Sequence, residues 1–358
     1  MPNLNLMKTY ALLFFLVLSH FNTIAQGDFT LSGTILDENS EPLEAATVFI
    51  DGSKKLSKTD AKGKYSFAGL ASGGYQLVVN MVGYGSSKQD ILIQDKSVVF
   101  NLKLIAQAQN LREVVIVGDG QRHNYLTTFK KFFLGESENA KKCKILNLDV
   151  LNFSSEKQIL RASTNDFLLI DNPVLGYRVK YLLRDFQYNS YLETTQYHGE
   201  CIFEELEGSN TQKQVWHHNR REAYFGSLMH YLRSIYKGDI KSEGFLTYKV
   251  TNTRLPAEIN VNPVLPKRIT QKIDDNLIEL KYKGRLYIIY NKELAARNYS
   301  FEKKDKIIMQ FKDTGSVFST DGQIDSKGNY FNYKALLIQG YWGRKRIGDQ
   351  LPYEYIPD

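Results

Sequence analysis

Residues 31–84 read LSGTILDENSEPLEAATVFIDGSKKLSKTDAKGKYSFAGLASGGYQLVVNMVGY, short runs of β-branched, aromatic and aliphatic residues broken repeatedly by Asp, Ser, Gly and Pro. Short runs interrupted by turn residues at roughly every ten positions read as the strands of an all-β sandwich. Extended to both sides, the reading places strands at 29–36, 46–50, 55–59, 64–69, 75–82, 88–94 and 97–104. In the last of these Val98, Phe100, Leu102 and Leu104 alternate with Ser97, Val99, Asn101 and Lys103, so one face is apolar and belongs in a core. Asp60-Ala61-Lys62-Gly63 carries Asp first and Gly fourth, the preference of a type I turn, and joins two antiparallel strands. Ser72-Gly73-Gly74 gives a second reversal, because glycine takes positive φ without steric cost.

Gly33, Asp37, Pro42-Leu43, Thr59-Asp60, Gly63, Gly74-Tyr75 and Gly83-Tyr84 fall on the pattern of the carboxypeptidase-regulatory-like module. Over this stretch the chain resembles that module, a transthyretin-like seven-stranded β-sandwich. The resemblance implies a non-catalytic companion domain that recurs on exported proteins of Gram-negative envelopes with no peptidase attached. The matching residues are turn and packing positions. Asp37 and Asp60 invite a calcium reading, but a hard cation needs about six oxygens and no clustered acidic loop surrounds either.

Location is read from the first residues, where Lys8 precedes the apolar run Ala11–Leu18 and the chain reaches Thr23-Ile24-Ala25 before Gln26. That order is a secretory signal peptide, residues 1–25, cleaved after Ala25; an uncleaved anchor is the alternative. The apolar run is shorter than the roughly 20 residues a membrane helix needs, and no later segment reads as one. Removing the leader leaves 45 basic against 39 acidic residues, a net charge of +6. Such mild basicity without a dense basic tract speaks against a nucleic-acid partner.

Two cysteines remain, Cys143 and Cys201. An oxidising compartment permits a disulfide between them, for which chain entropy gives roughly 4 kcal/mol; two buried thiols that never meet are the equal alternative.

Residues 106–122 read as a linker, in which Ala106–Asn110 is followed by the strand-like run Leu111–Gly118. That run resembles the segment joining the same module to the plug of TonB-dependent outer-membrane receptors. The residues that follow are fewer than a plug and barrel need, so the expectation is a shared module rather than a receptor. The run could add to a partner's sheet edge or pair within its own chain.

Residues 123–358 are expected to form a larger antiparallel β-rich domain with one or two helices. Leu126, Phe129, Phe132 and Phe133 give 124–134 a helical stripe, and 146–153, 157–162, 166–171, 176–187, 190–198 and 200–207 read as a meander. A helix capped by Asn219, with Glu222 three residues on, is predicted to carry Tyr224, Phe225, Leu228, Met229, Leu232 and Tyr236 as one stripe. Strands resume at 268–273, 277–282, 285–290, 306–311, 315–319 and 333–339. A membrane barrel is disfavoured, since Arg178, Lys180, Arg184 and Asp185 charge both faces of one segment and the final residues are Ile356-Pro357-Asp358.

Zinc peptidase chemistry needs His-x-x-Glu, yet Leu126, Cys201, Arg220, Arg221 and Arg233 stand three residues after the histidines at 123, 198, 217, 218 and 230. His198-Gly199-Glu200 lacks the Pro-Cys-x-x-Cys of zinc deaminases, and neither Gly-x-Ser-x-Gly nor a phosphate loop occurs. No catalytic residue, metal site or cofactor is therefore assigned. Two aromatic and cationic clusters are the candidate binding residues: Trp216, His217, His218, Arg220 and Arg221 beside a helix start, and Trp342, Arg344 and Arg346 in the carboxy-terminal run. The bland readings are a solvated helix entrance and a tail that pins itself by its aromatics.

These features lead to an exported, non-catalytic envelope protein, periplasmic or associated with the outer membrane, that binds or assembles with an envelope protein or glycan. The alternative is a hydrolase of peptides or glycans whose carboxylates meet only in the folded second domain.

Overall fold

A computed structural model describes residues 29–107, 119–252, 258–282, 284–300, 315–319, 322–331 and 337–358. The expected leader, the strand-like run 111–118 and the expected strand 306–311 lie outside the described residues.

The amino-terminal strands are β1 (Phe29–Leu36), β2 (Thr47–Ile50), β3 (Leu56–Lys58), β4 (Lys64–Leu70), β5 (Gly73–Asn80), β6 (Ser87–Ile93), β7 (Val98–Val99) and β8 (Leu102–Lys103). They form two sheets, β4-β1-β7 with β8 also on β1, and β3-β2-β5-β6. The single strand expected over 97–104 is thus two short pieces that both run parallel to β1. Its apolar face does enter the core, where Val98, Phe100, Leu102 and Leu104 meet Leu31, Ile35, Phe67 and Leu77. The expected turn closes, with Gly63 N–H donating to the Asp60 carbonyl at 2.8 Å and Asp60 Oδ1 accepting the amides of Lys62 and Lys64 at 2.9 and 2.8 Å, but β3 and β4, which it joins, belong to different sheets and do not pair as the antiparallel strands expected. Asp37 Oδ1 likewise accepts the amides of Asn39 and Glu41, so both carboxylates serve turns.

Helix α1 (Asp119–Leu134) starts five residues before the expected one and is followed by α2 (Glu138–Lys142). It packs on a six-stranded sheet of β9 (Lys144–Ile145), β10 (Leu151–Glu156), β11 (Ile159–Thr164), β12 (Leu168–Asn172), β13 (Tyr177–Asn189) and β14 (Thr194–Glu205). Phe129 and Phe133 are fully buried there against Phe186 and Tyr181, with ring centroids 4.9 and 5.0 Å apart. Burying each such ring contributes about 1.5–3 kcal/mol. Where two strands were expected at 190–198 and 200–207, β14 runs unbroken through Gly199. A side chain at that position would strike the Leu182 carbonyl, so the glycine permits close approach rather than a turn.

The single helix expected from Asn219 is two helices, α3 (Asn210–Tyr224) and α4 (Leu228–Lys237). Ser209 caps the first by accepting the Gln212 amide, ten residues before the expected cap at Asn219. Asn219 lies inside α3, and its side-chain amide donates to the Val174 carbonyl at 2.8 Å. The break comes at Gly226, whose φ of 76° departs from helical geometry, and Ser227 restarts the chain by capping α4.

Beyond α4 lie two further sheets. One contains β15 (Phe245–Asn252), β16 (Glu258–Ile259), β19 (Arg285–Tyr290), β20 (Gly315–Ser319) and β23 (Leu337–Gly340). The other contains β17 (Thr270–Lys272), β18 (Leu277–Leu280), β21 (Gln323–Asp325) and β22 (Tyr330–Phe331). Helix α4 buries Tyr231, Leu232 and Ile235 with residues of both sheets, among them Phe245, Ile288 and Ile324. Short helices α5 (Lys292–Ala296) and α6 (Tyr341–Arg344) complete a chain richer in helix than the expected one or two. Strands β15 and β16 were not expected from sequence. No described helix is long and apolar enough to cross a membrane.

Candidate functional site

The sandwich and the α1 sheet are joined by backbone as well as apolar contact. Residues 51–54, just past β2, lie along the edge of β14. Gly52 N–H donates to the Cys201 carbonyl at 2.8 Å, Phe203 N–H to the Ser53 carbonyl at 2.9 Å, and Asp51 Oδ1 accepts the Cys201 amide at 2.8 Å. Phe49 and Val78 of the sandwich enclose Ile202, and Phe49 meets Phe167 edge to face at 5.7 Å.

The carboxy-terminal residues cross this junction. Tyr353 N–H donates to the Gly52 carbonyl at 2.9 Å, and the Glu354 carboxylate accepts the Lys54 amide at 3.1 Å. Asp349 accepts from Ser137 Oγ at 2.5 Å and Asn139 Nδ2 at 2.9 Å. Arg233 of α4 fixes the tail from beneath, donating to the carbonyls of Lys327, Tyr355 and Tyr353 at 2.9, 2.7 and 3.0 Å.

A cleft of about 510 Å³ opens among the sandwich, the α3–α4 corner, the β21–β22 turn and this tail. Ile50, Gly74 and Tyr75 line it on one side, with Phe225, His230 and Lys327 among those opposite. Among its lining groups His230 and Lys327 are shifted from their ordinary values, as is Asp325, two residues before Lys327. Asp325 is fully buried, and burial raises its carboxyl above the ordinary range. Its Oδ1 accepts the amides of Lys327 and Asn329, each at 2.9 Å, and its Oδ2 accepts Asn329 Nδ2 at 2.7 Å. Lys327 sets its Nζ over the Tyr75 ring, 3.3 Å from the centroid, where that nitrogen is buried with no hydrogen-bond partner. Burial brings the amine down to about 8.

His230, 2% exposed, lies among the rings of Tyr224, Phe225, Phe245 and Tyr290. Its Nδ1 accepts the Gly226 amide at 3.1 Å, so the neutral ring carries its proton on Nε2 and donates it to Glu243 Oε2 at 3.0 Å. Burial, opposed by that carboxylate, holds the imidazole below its ordinary value.

None of the residues of the two clusters singled out in the sequence lines this cleft. Trp216 is buried and its indole donates to the Pro173 carbonyl at 2.9 Å. Arg220 donates to the carbonyls of Leu175 and Gly176 and lies 3.8 Å over the Tyr177 ring. His217, His218 and Arg221 are exposed on α3, with His217 Nε2 2.7 Å from the Asp358 carboxylate. Trp342 is buried and donates to the Gly226 carbonyl at 2.7 Å. Arg346 donates to the carbonyls of Gly343 and Phe132, while the Arg344 carbonyl accepts the Glu136 amide. Cys143 and Cys201 are free thiols, with Cys143 directed at the Asn139 carbonyl and Cys201 at the Gln350 amide. The bridge that the sequence permits is therefore not formed in this structure.

Lys327, Asp325 and His230 were not singled out in the sequence. The run Asp325-Ser326-Lys327-Gly328-Asn329 carries only the composition of a turn, with no signal that its lysine is buried.

The two sheets over residues 29–103 and the family comparison agree on this part of the chain, since a family description of the CarboxypepD_reg-like domain matches residues 31–116. Residues 31–116 thus resemble a CarboxypepD_reg-like domain. The chain is also similar to TonB-dependent receptor P39 of Formosa agariphila, 36% identical over 101 residues, which is 28% of this chain and 9% of that receptor. The chain thus spans under a tenth of the curated relative it matches. Among solved structures, 5-hydroxyisourate hydrolase of Klebsiella pneumoniae aligns at 21% identity and a TM-score of 0.20, covering 22% of this chain and 92% of that one. A streptococcal ancillary pilin aligns at 14% identity and a TM-score of 0.20, covering 22% of this chain and 32% of that one.

Proposed function

We propose that this chain is an exported, non-catalytic cell-envelope protein that binds a ligand or assembly partner in the cleft between its CarboxypepD_reg-like domain and its larger β-rich part. The organisation that goes with this reading is a cleaved leader (1–25), the sandwich (27–105), a linker (106–122) and a β-rich domain (123–358). The observation that carries it is the cleft itself, whose walls come from both parts and whose rim is the tail that ties them together. A concave site built between domains and lined by aromatics with a few polar groups is the common form of a ligand site.

Binding is favoured over hydrolysis by the state of His230 in the cleft and of Asp325 beside it. Both ring nitrogens of His230 are bonded within the chain, and both oxygens of Asp325 accept protein donors, which leaves neither placed as a base for a substrate. The envelope setting is supported by the similarity to a TonB-dependent receptor.

The test is retention from the envelope fraction of the protein's own cell by the full mature chain and by Ser326→Trp, which places a large ring at the exposed rim of the cleft. Material retained by the first and lost by the second supports the reading. Equal retention by both, or hydrolysis of peptides or glycans by the mature chain, sinks it.

A further inference from the structure

The excess charge of the chain is concentrated at one corner of the fold, where α1 turns into α2. Residues 130–144 carry Lys130, Lys131, Lys141, Lys142 and Lys144 against Glu136 and Glu138. The run Arg344-Lys345-Arg346 lies against that turn. Glu136 N–H donates to the Arg344 carbonyl at 2.9 Å, Gly135 pairs with Lys345 in an antiparallel bridge, and the Arg346 guanidinium donates to the Phe132 carbonyl. Together the two stretches hold eight cations and two carboxylates, an excess of six. Residues 26–358 hold 45 basic and 39 acidic residues, the same excess, so the rest of the chain is balanced at 37 of each. Asp349, a further acid that bonds into this corner, is buried on Ser137 and Asn139.

All five lysines are exposed. Glu138 holds Lys141 at 2.6 Å and Glu136 approaches Lys131 at 3.7 Å, while Lys130, Lys142 and Lys144 have no ion-pair partner among the described residues. Point charges on flexible stems, spread over an exterior corner, do not enclose one small anion. They fit a partner whose negative charge is itself spread over a surface. Leu146 decides which such partner. It is 49% exposed and stands two residues beyond Lys144, with Ile145 between them packed on the core. An exposed leucine beside the cations gains nothing on a hydrated polyanion, whereas at a bilayer it enters the boundary between headgroups and acyl chains. We infer that this corner docks the protein on an anionic lipid bilayer, with the lysines over the phosphates and Leu146 at the boundary. None of these residues lines the cleft, so the inference stands apart from the binding reading given above.

The experiment measures co-sedimentation of the full mature chain with vesicles of phosphatidylcholine alone and of phosphatidylcholine mixed with phosphatidylglycerol, and its retention on a soluble polyuronate. Three variants accompany it: the triple Lys130→Gln, Lys142→Gln, Lys144→Gln; the single Leu146→Gln; and a control triple, Lys58→Gln, Lys62→Gln, Lys96→Gln, which removes the same charge from exposed positions of the sandwich. All the substituted side chains are exposed, so the fold is retained, which circular dichroism checks. The native chain is expected to bind the phosphatidylglycerol vesicles and to be released as salt rises above about 0.1 M. Each cation near an anionic bilayer is worth about fivefold in partitioning, so the corner triple should bind about a hundredfold more weakly and the control triple within about threefold of native. Leu146→Gln should bind the same vesicles about fivefold more weakly. Equal binding to phosphatidylcholine alone, an equal loss in the two triple variants, indifference to Leu146→Gln, or retention on the polyuronate with none on the vesicles overturns the inference.

Discussion

Nδ1 of His230 accepts the backbone N–H of Gly226 at 3.1 Å, from the first turn of α4 back to the break that separates it from α3. The bond exists only while Nδ1 is unprotonated. A second proton would set an N–H against an N–H, inside a ring of aromatic side chains that excludes water.

The pH dependence follows from that contact. The imidazole titrates at 6.5 in the unfolded chain and lower in the folded one, so the native state favours the neutral ring. Its stabilisation is complete above pH 6.5 and is lost as pH falls toward the folded value. The native chain should therefore lose stability between pH 7 and pH 5. His230→Asn keeps an acceptor near the Nδ1 position without a titration there. It should cost about 2 kcal/mol at pH 7 through lost packing, yet show a flatter profile across the same interval. Urea unfolding at several pH values measures both; parallel profiles for the two proteins would dismiss the role assigned to His230.

Lys327 has the opposite consequence for stability. Its amine titrates at 10.5 when unfolded and at about 8 when folded, so the native state disfavours the ammonium. The penalty is present at neutral pH and fades as pH rises from about 8 to 10.5. Lys327→Met should raise the free energy of unfolding by about 1–3 kcal/mol at pH 7, less what Asp325 loses when its neighbouring cation is gone. The advantage of the variant should shrink by pH 9.5. Comparison with the native chain removes the contribution of the buried tyrosines, which both proteins share. A variant less stable at pH 7 would show that the ammonium is better compensated than its lack of partners indicates.

The sandwich was legible because its determinants are local. Asp60 and Gly63 fix a turn within four residues, and the alternation of Val98, Phe100, Leu102 and Leu104 needs only a period of two. The start of α3 was not legible, because residues 210–221 are polar on nearly every side and bury only Trp216. The break at Gly226 was hidden for the converse reason, since the apolar stripe continues in phase across it. The cleft was beyond reach of the sequence, because Tyr75, His230 and Lys327 are far apart in the chain and nothing in the run around Lys327 signals burial. The tryptophan and arginine clusters drew attention as ligand platforms, whereas the fold directs their donors to loop carbonyls at Pro173, Leu175, Gly226 and Gly343. Both uses call for the same residue types, so composition does not separate them.

Gly52 is the position where the junction between the sandwich and the rest of the chain is most exposed to a single substitution. Its φ is 70°, and a Cβ there would lie 2.2 Å from the ring of Tyr353. Gly52→Ala must therefore strain the backbone and displace the tail, which also loses the Tyr353 amide bond to the Gly52 carbonyl. A loss of about 2–4 kcal/mol is expected, together with faster proteolysis within residues 350–358. The sandwich strands should keep their hydrogen-exchange protection, since their core is built from other residues. Unchanged proteolysis of the tail would show that Tyr353 is not what holds it.

The two thiols give a prediction that also decides between the readings the sequence left open. Burial raises Cys143 to about 12 and Cys201 well above its ordinary value, so neither supplies much thiolate near neutrality. An aromatic disulfide reagent at pH 8 attacks through the thiolate, and the native protein should react about a thousandfold more slowly than a free cysteine. In denaturant both thiols should titrate promptly, and treatment with reductant beforehand should leave the intact mass unchanged. If instead no thiol appears in denaturant until reductant is added, Cys143 and Cys201 are bridged. Cys143 would then have to leave the Asn139 carbonyl and Cys201 the Gln350 amide, shifting α2 and the tail that bonds to it through Asp349.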